Sequence, residues 1–158
     1  MMSIKFSDPK SIEQKDIDFF AQCLGCTIPD DLKTFFIEFN GSKPENNIFR
    51  ISQNNESGVN ELIPLSQILT ERKYLDHVGA KVFPVALAEG GNYIVIDLDQ
   101  NQSVYFWDHE EPKNMIKLAN SIYEFLEGLT PFDLDSIKLE EGQIKSVWID
   151  PDFLNSLK

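Results

Sequence analysis

One stretch of this sequence has the side chains and the spacing to suggest a metal site. Within DLDQNQSVYFWD, Asp97, Asp99 and Asn101 follow the order of calcium ligands in an EF-hand loop, and Asp108 stands at its last position. That loop needs a glycine at its sixth position and normally a glutamate at its last, whereas this chain has Gln102 and Asp108 there. Residues that favour strands, not helices, flank the stretch. We therefore expect a β-hairpin turn, with no metal and no other cofactor.

A second candidate for chemistry is the run Asp108, His109 and Glu110. Neighbouring side chains of a strand point to opposite faces, so three consecutive residues do not converge on one substrate while the strand continues. The chain contains two histidines, His77 and His109, and lacks the G-x-S-x-G, phosphate-loop and H-E-x-x-H motifs. A small metal-dependent hydrolase stays open as an alternative, because a distant carboxylate could join Asp108. We expect no catalytic residues.

Two glycine-containing motifs complete the search for chemistry. Cys23 and Cys26 form CLGC, but they close a helical pattern instead of opening a helix after a strand, and no second ligand pair completes a zinc site. We expect buried or half-buried structural thiols. Gly90 and Gly91, in EGGN, precede a strand and not a helix, which favours a tight turn over a phosphate cradle.

Composition and charge narrow the classes of protein to which the chain can belong. Its 158 residues suggest a single domain, and 42% hydrophobic with 25% charged residues is ordinary for a globular protein. The start, MMSIKFSDPK, has no apolar signal region, so we expect a cytoplasmic protein. The net charge of −12, from 26 acidic and 14 basic residues, opposes nucleic acid and anionic membranes and favours a basic protein partner.

Helical spacing marks the first forty residues. Ser11 and Gln14 match a capping box, and Gly25 is suited to end the helix that follows. Pro29 suits the first position of a second helix, which Asn40 would end. The predicted buried positions of the two helices are Ile17, Phe20, Ala21, Leu24, Leu32, Phe35, Phe36 and Phe39.

Strand-forming residues dominate the middle of the chain. A polar loop at SKPENN precedes short strands at IFRIS and VNELIPL, and a modest helix follows from about Ser66 to His77. YIVI and VYFW predict two strands joined at DQNQ, apolar on both faces and therefore covered on both sides. Helical spacing from Met115 to Leu129 predicts one amphipathic helix, and IKSVWID predicts a last strand. This order of elements indicates an α+β fold.

Four motifs in sequence resemble a known superfamily. They are the helix end LG with IPDDLKTFFIEFNG, then FPVALAEGGNYIVIDL, then VYFWDHE, and last IKLANSIYEFLEGL, up to Leu129. In this order they resemble the SUKH superfamily. It is named for fungal cell-wall-assembly regulators and contains many bacterial immunity proteins of polymorphic toxin systems.

The resemblance implies an α+β fold with a mixed, mainly antiparallel central sheet flanked by helices. It implies one domain over residues 1–158, with a core of about residues 10–129. The C-terminal extension, residues 130–158, lies beyond the family pattern. The resemblance also implies a non-enzymatic protein whose work is to bind another protein.

The expected partner-binding residues are the acidic side chains between Phe83 and Pro112, a stretch without lysine or arginine. An immunity protein must occupy a toxin domain, and nuclease toxins are basic because they grip nucleic acid. The leading interpretation is therefore an immunity protein for a basic nuclease-type toxin. The alternative is a regulatory scaffold of another pathway, and a plain solvated rim also fits the charge pattern. The predicted binding residues are Glu89, Asp97, Asp99, Asp108, Glu110 and Glu111.

Overall fold

The computed structural model describes residues 5–131, which contain a two-stranded ribbon, a six-stranded sheet and four α-helices. The ribbon pairs β1 (Phe6–Ser7) with β2 (Lys43–Pro44). The strands of the sheet are β3 (Ile48–Ser52), β4 (Asn55–Leu62), β5 (Val82–Ala88), β6 (Asn92–Asp97), β7 (Ser103–Trp107) and β8 (Ile116–Ala119). The helices are α1 (Gln14–Leu24), α2 (Asp30–Phe39), α3 (Leu65–Arg72) and α4 (Ile122–Glu127). The α+β prediction is confirmed.

The sheet is an antiparallel meander in the order β3-β4-β5-β6-β7-β8, and it curls until it is nearly a barrel. Ile48 at one edge exchanges two backbone hydrogen bonds of 2.9 Å with Thr130, which follows α4. Phe49 of β3 reaches across the concave face, and its ring centroid lies 5.9 Å from that of Phe106 and 5.4 Å from that of Phe125. The curl therefore encloses a core that a flat sheet would leave open.

The concave face is covered by α1, α2 and α4. Phe83 pairs with Ile96 across β5 and β6, and its ring lies 5.2 Å from Phe20 of α1 and 6.4 Å from Phe36 of α2. All of these side chains are buried. The apolar faces that helical and strand spacing predicted thus pack together in one core rich in aromatic residues.

The convex face is covered in part by α3 and the segment after it. Tyr93 and Trp107 alternate with the concave-facing residues of β6 and β7, and both are buried. The Tyr93 hydroxyl donates to Glu71 Oε2 at 2.6 Å, and Trp107 Nε1 donates to the Asp76 carbonyl at 3.2 Å. These contacts confirm that the central strands are covered on both sides.

A buried amide joins the helical layer to α3. Asn40, after α2, is 5% exposed; its Nδ2 donates to the Lys10 carbonyl at 3.1 Å and its Oδ1 accepts from the Leu65 N–H at 2.6 Å. Leu65 opens α3, and Pro64 before it supplies no side-chain cap. Asn40 therefore caps a helix that begins 25 residues later in the chain.

The starts of the first two helices differ from the prediction. The capping box of α1 consists of Glu13 and Asp16, and not of Ser11 and Gln14. Reciprocal carboxylate-to-N–H bonds form as well with Glu13 as with a serine, and they fix the start two residues later. Pro29 stands immediately before α2 and not at its first helical position, whereas Gly25 ends α1 at φ 82° as predicted.

The prediction of one helix from Met115 to Leu129 is wrong. Residues Ile116–Ala119 form β8, in which Lys117 pairs with Tyr105 and Ile116 with Phe106. Helix α4 starts only after Ser121, whose Oγ accepts from the Glu124 N–H at 3.1 Å. Pairing with β8 satisfies the backbone N–H and C=O groups at the edge of β7. The spacing of apolar residues in the sequence does not show that this edge is open for pairing.

Three smaller boundaries also differ. SKPENN contains β2, because Lys43 and Pro44 pair with the start of the chain. The hairpin after IFRIS is tighter than predicted, since β4 already begins at Asn55. Helix α3 ends at Arg72, not near His77. The strand predicted at IKSVWID lies outside the described residues.

We predict that truncating Phe36, Ile96 or Phe125 to alanine lowers the free energy of unfolding by about 2–5 kcal/mol, because each leaves a cavity in the shared core. Chemical denaturation of each variant measures the loss. Phe19→Ala, which removes an exposed ring of α1, is the matched control and should stay near the wild type. Three core variants with wild-type stability would contradict the assigned core.

Candidate functional surface

The register of the sheet places the connections of its central strands at two opposite ends. At one end, here called the β5–β6 end, Ala88 pairs with Asn92 and Tyr93 with Trp107. At the other, the β6–β7 end, Asp97 pairs with both Val82 and Ser103. The six residues of β6 separate the ends by roughly 17 Å, at about 3.3 Å per residue.

The six predicted binding residues divide between these ends. Glu89 follows β5, and Asp108, Glu110 and Glu111 follow β7, so these four lie at the β5–β6 end. Asp97 and Asp99 lie at the β6–β7 end. The acidic stretch is therefore continuous in sequence but forms two separate groups on the folded protein.

The turn between β5 and β6 depends on its two glycines. Gly90 and Gly91 have φ of 76° and 82°, a left-handed conformation that strains residues with a side chain. The tight turn predicted for EGGN is confirmed. Beside it, Glu89 lies over the bare backbone of Gly58 on β4, where a Cβ would stand 2.8 Å from Glu89 Oε1.

A small polar network orders the residues after β7. The His109 backbone N–H donates to Asn92 Oδ1 at 3.1 Å, and His109 Nδ1 lies 2.7 Å from the same oxygen. Asp108 Oδ1 accepts from the Glu110 N–H at 2.9 Å and lies 3.9 Å from His109 Nδ1. Because β7 ends at Trp107, the strand does not continue through Asp108 and His109, and strand alternation does not keep these two side chains apart.

The β6–β7 end is a hairpin turn with its carboxylates engaged. Asp97 Oδ1 accepts from the Asp99 N–H at 2.9 Å, and Asn101 and Gln102 adopt positive φ of 55° and 65°. Lys81 Nζ lies 3.6 Å from Asp99 Oδ1. The predicted turn at DQNQ is confirmed, and part of its negative charge is balanced by Lys81, which precedes the stretch in sequence.

Neither cysteine is fully buried. Cys23 is exposed on α1, so the expectation of a buried or half-buried thiol is wrong for it, whereas Cys26 is half-buried as expected. Cys23 lies outside the apolar stripe of α1, to which Ile17 and Phe20 belong. Within residues 5–131, no group of three or more histidine, cysteine or acidic side chains is arranged to hold a metal ion. No helix of this part is long and apolar enough to cross a membrane.

Comparison with known proteins agrees with this architecture. The family model of the SMI1/KNR4 family (SUKH-1) matches residues 11–128. The chain belongs to this family. A Bacillus subtilis (strain 168) protein named "SPbeta prophage-derived uncharacterized protein YokK" is 35% identical over 86 residues, which are 52% of this chain. The match covers 44% of that relative, so the chain spans less than half of its length.

The known members of the SUKH-1 family indicate what kind of function such a surface serves. The family includes immunity proteins, its members bind partner proteins, and it is generally non-catalytic. The aromatic residues of the sheet fit this, since Tyr93 and Trp107 are buried and only Tyr105 is half-buried. These rings support the sheet, as expected, and do not form an exposed platform for nucleotide bases.

Sequence reasoning missed the contribution of the segment after α3 to the β5–β6 end. Trp107 and Asp76, which hydrogen-bond there, are 31 residues apart, and Tyr93 and Glu71 are 22 apart. No periodicity links such positions. The stretch ERKYLDH holds two acidic residues, two basic residues and one tyrosine, a mixture that ordinary loops share and that gives no signal.

Among residues 5–131, Tyr93 is the titrating group whose pKa this SUKH-1 fold shifts most. Its hydroxyl pKa is raised well above the ordinary value of 10 by burial, then by its hydrogen bond to Glu71 and the charge of that residue, and by nearby Tyr74. The folded state thus keeps a proton that the unfolded state releases above pH 10. Stability from this group is complete below pH 10 and decreases as the pH rises further.

We predict that Tyr93→Phe flattens the decline in unfolding free energy above pH 10, because phenylalanine has no proton to release. Denaturant titrations of wild type and variant between pH 8 and pH 11 measure the two slopes. Phe19→Ala, which removes an exposed ring that carries no titrating group, serves as control and should keep the wild-type slope. Equal slopes for wild type and Tyr93→Phe would refute the assigned cause.

We predict that the purified protein carries no stoichiometric metal and that Cys23→Ser with Cys26→Ser preserves partner binding. The expectation about the metal rests on the missing EF-hand glycine and on the engagement of Asp97 with the turn backbone. The expectation about the cysteines rests on their single C-x-x-C, which no second ligand pair completes. Elemental analysis and a binding assay of the double variant provide the measurements. A stoichiometric metal, or loss of binding in a folded variant, would count against this account.

Proposed function

We propose that this chain is a non-enzymatic immunity protein that neutralises a toxin domain by direct binding. The observation that carries the proposal is the placement of Glu89, Asp108, Glu110 and Glu111 at one end of a stiff antiparallel sheet. Family membership supports it, since SUKH-1 includes immunity proteins. The proposed partner is a basic nuclease-type toxin domain, and the contact is expected in the cytoplasm.

Electrostatics favour this partner over nucleic acid or a membrane surface. The whole chain carries a net charge of −12, which repels phosphate-bearing surfaces. A nuclease that grips nucleic acid must present cations, and carboxylates at the β5–β6 end would occupy the positions of substrate phosphates. Binding there would block the toxin without any chemistry by this chain.

Asp97 and Asp99 have a different place in the proposal. They lie at the opposite end of the sheet, where one supports a turn and the other faces Lys81. We assign the direct contact to the β5–β6 group. The other pair lies farther from that contact than the about 8–10 Å over which ordinary salt screens exposed charges, so it contributes to the attraction mainly at low salt concentration.

Co-expression with each protein encoded next to this chain tests the function itself. A stoichiometric complex with a toxin domain, and loss of that toxin's activity in the complex, are the expected results. A stable complex with a neighbour that is not a toxin would favour the regulatory-scaffold alternative. Turnover of a substrate by this chain would overturn the non-enzymatic assignment.

We predict that Glu110→Lys with Glu111→Lys slows association with the toxin domain far more than it accelerates dissociation, because exposed charges mainly steer encounter. Raising the salt concentration should shrink the difference from wild type. Stopped-flow association rates over a range of salt concentrations provide the measurement.

A matched control is Glu38→Lys with Glu127→Lys, which changes the net charge equally on exposed positions of α2 and α4. Both positions lie in the last turn of their helix, where the helix dipole favours a basic residue, so the control should fold normally. If both double variants slow association equally, only the overall charge matters and the β5–β6 end has no special part. If neither does, charge does not direct binding.

A further inference from the structure

Tyr74 is an exposed aromatic residue on the segment that links α3 to β5. It is 64% exposed, and only Phe19, Ile37 and Ile116 are comparably exposed among the large hydrophobic residues of the described chain. A single exposed apolar residue is normal on a soluble protein. The support beneath Tyr74 and the charges around it are what set it apart.

Arg72 holds the segment on one side of Tyr74. Its Nε donates to the Val82 carbonyl at 2.7 Å, and its Nη2 donates to the carbonyls of Ala80 at 2.8 Å and Gly79 at 3.2 Å. The guanidinium thus ties the end of α3 to the start of β5. The loop between them is closed at its base by side chain-to-backbone bonds.

Contacts on the other side of Tyr74 complete the support. Leu75 is buried, and Trp107 Nε1 donates to the carbonyl of Asp76. Trp107 is itself buried at the end of β7. The backbone that carries Tyr74 is therefore fixed at both flanks, so its ring can enter a partner without the cost of ordering a loose loop.

The same contacts bring Tyr74 to the β5–β6 end. Glu71, one turn before it, accepts from Tyr93, and Tyr74 is close enough to Tyr93 to contribute to its raised pKa after burial and Glu71. Asp76 meets Trp107, the residue next to Asp108. The ring is thus placed beside the acidic group of the proposed contact. Two cations precede Tyr74 in the sequence. Arg72 is engaged with backbone carbonyls, which leaves Lys73 as the cation next to the ring.

We infer that Tyr74 is the aromatic anchor of the partner interface, and that its occupant is a protein surface with an apolar slot rimmed by lysine or arginine. This inference rests on the proposed function. Interface hot spots are enriched in tyrosine and sit within a rim of weaker polar contacts. Glu71, Asp76 and Asp108 supply an acidic rim, and a cation of the partner can also rest on the ring.

The test uses the full chain and the toxin domain captured by co-expression, in a catalytically inactive form. Tyr74→Ala should accelerate dissociation at least about tenfold, because a buried anchor is lost mainly through the off-rate. That ratio should stay the same at low and high salt. Tyr74→Phe should retain most of the affinity. Phe19→Ala is the matched control, since Phe19 is 64% exposed on α1, and should dissociate like the wild type.

The outcomes separate this inference from the function on which it rests. Tight wild-type binding that Tyr74→Ala leaves unchanged overturns the anchor and leaves the immunity function standing. Equal losses in Tyr74→Ala and Phe19→Ala overturn it as well, because exposure alone would then explain both. A wild-type chain that binds no neighbouring toxin domain overturns the proposed function and this anchor together. Thermal unfolding of each variant confirms that it is folded.

Discussion

The side-chain amide of Asn40 is the constraint on which the rest of the structure depends. Its two hydrogen bonds, to Lys10 and to the first N–H of α3, hold together the segment before α1, the end of α2 and the helix that covers the convex face. Such a buried polar group costs free energy unless every partner is present, so it fixes one arrangement of these elements. The position of α3 in turn decides where Glu71 and Tyr74 lie. A polar contact in the core therefore sets the geometry of the surface.

The sheet turns that geometry into a rigid platform with two different ends. At the β5–β6 end, glycine turns, the Asn92–His109 network and the Trp107–Asp76 bond hold carboxylates and one exposed ring on fixed backbone. At the β6–β7 end, the carboxylates are used locally, by a turn and by Lys81. A protein whose function is recognition gains from such a platform, because little conformational entropy is lost when a partner binds.

The sequence was sufficient to predict the helices and strands with clear apolar spacing, but it was not sufficient to predict contacts between residues far apart in the chain. Apolar spacing located α1, α2, β6 and β7, since burial on one or both faces leaves a direct trace in those residues. It failed at Ile116–Ala119, where strand pairing with β7 overrides helical spacing, and at Asn40, which was predicted only as a helix end. The acidic stretch was predicted to form one edge, because a continuous sequence does not show that the chain reverses its direction between β6 and β7. Tyr74 carried no signal, because the role inferred for it follows from Arg72, Tyr93 and Trp107 together.

Amide hydrogen exchange of the free chain and of its complex with the toxin domain tests the central claim most directly. The account predicts slower exchange on binding at residues 71–78, 89–92 and 108–114, which together make up the β5–β6 end and the Tyr74 segment. It predicts no change at residues 97–102 or in α1. Protection centred on the β6–β7 end or on the helical layer, with residues 71–78 unchanged, would contradict it.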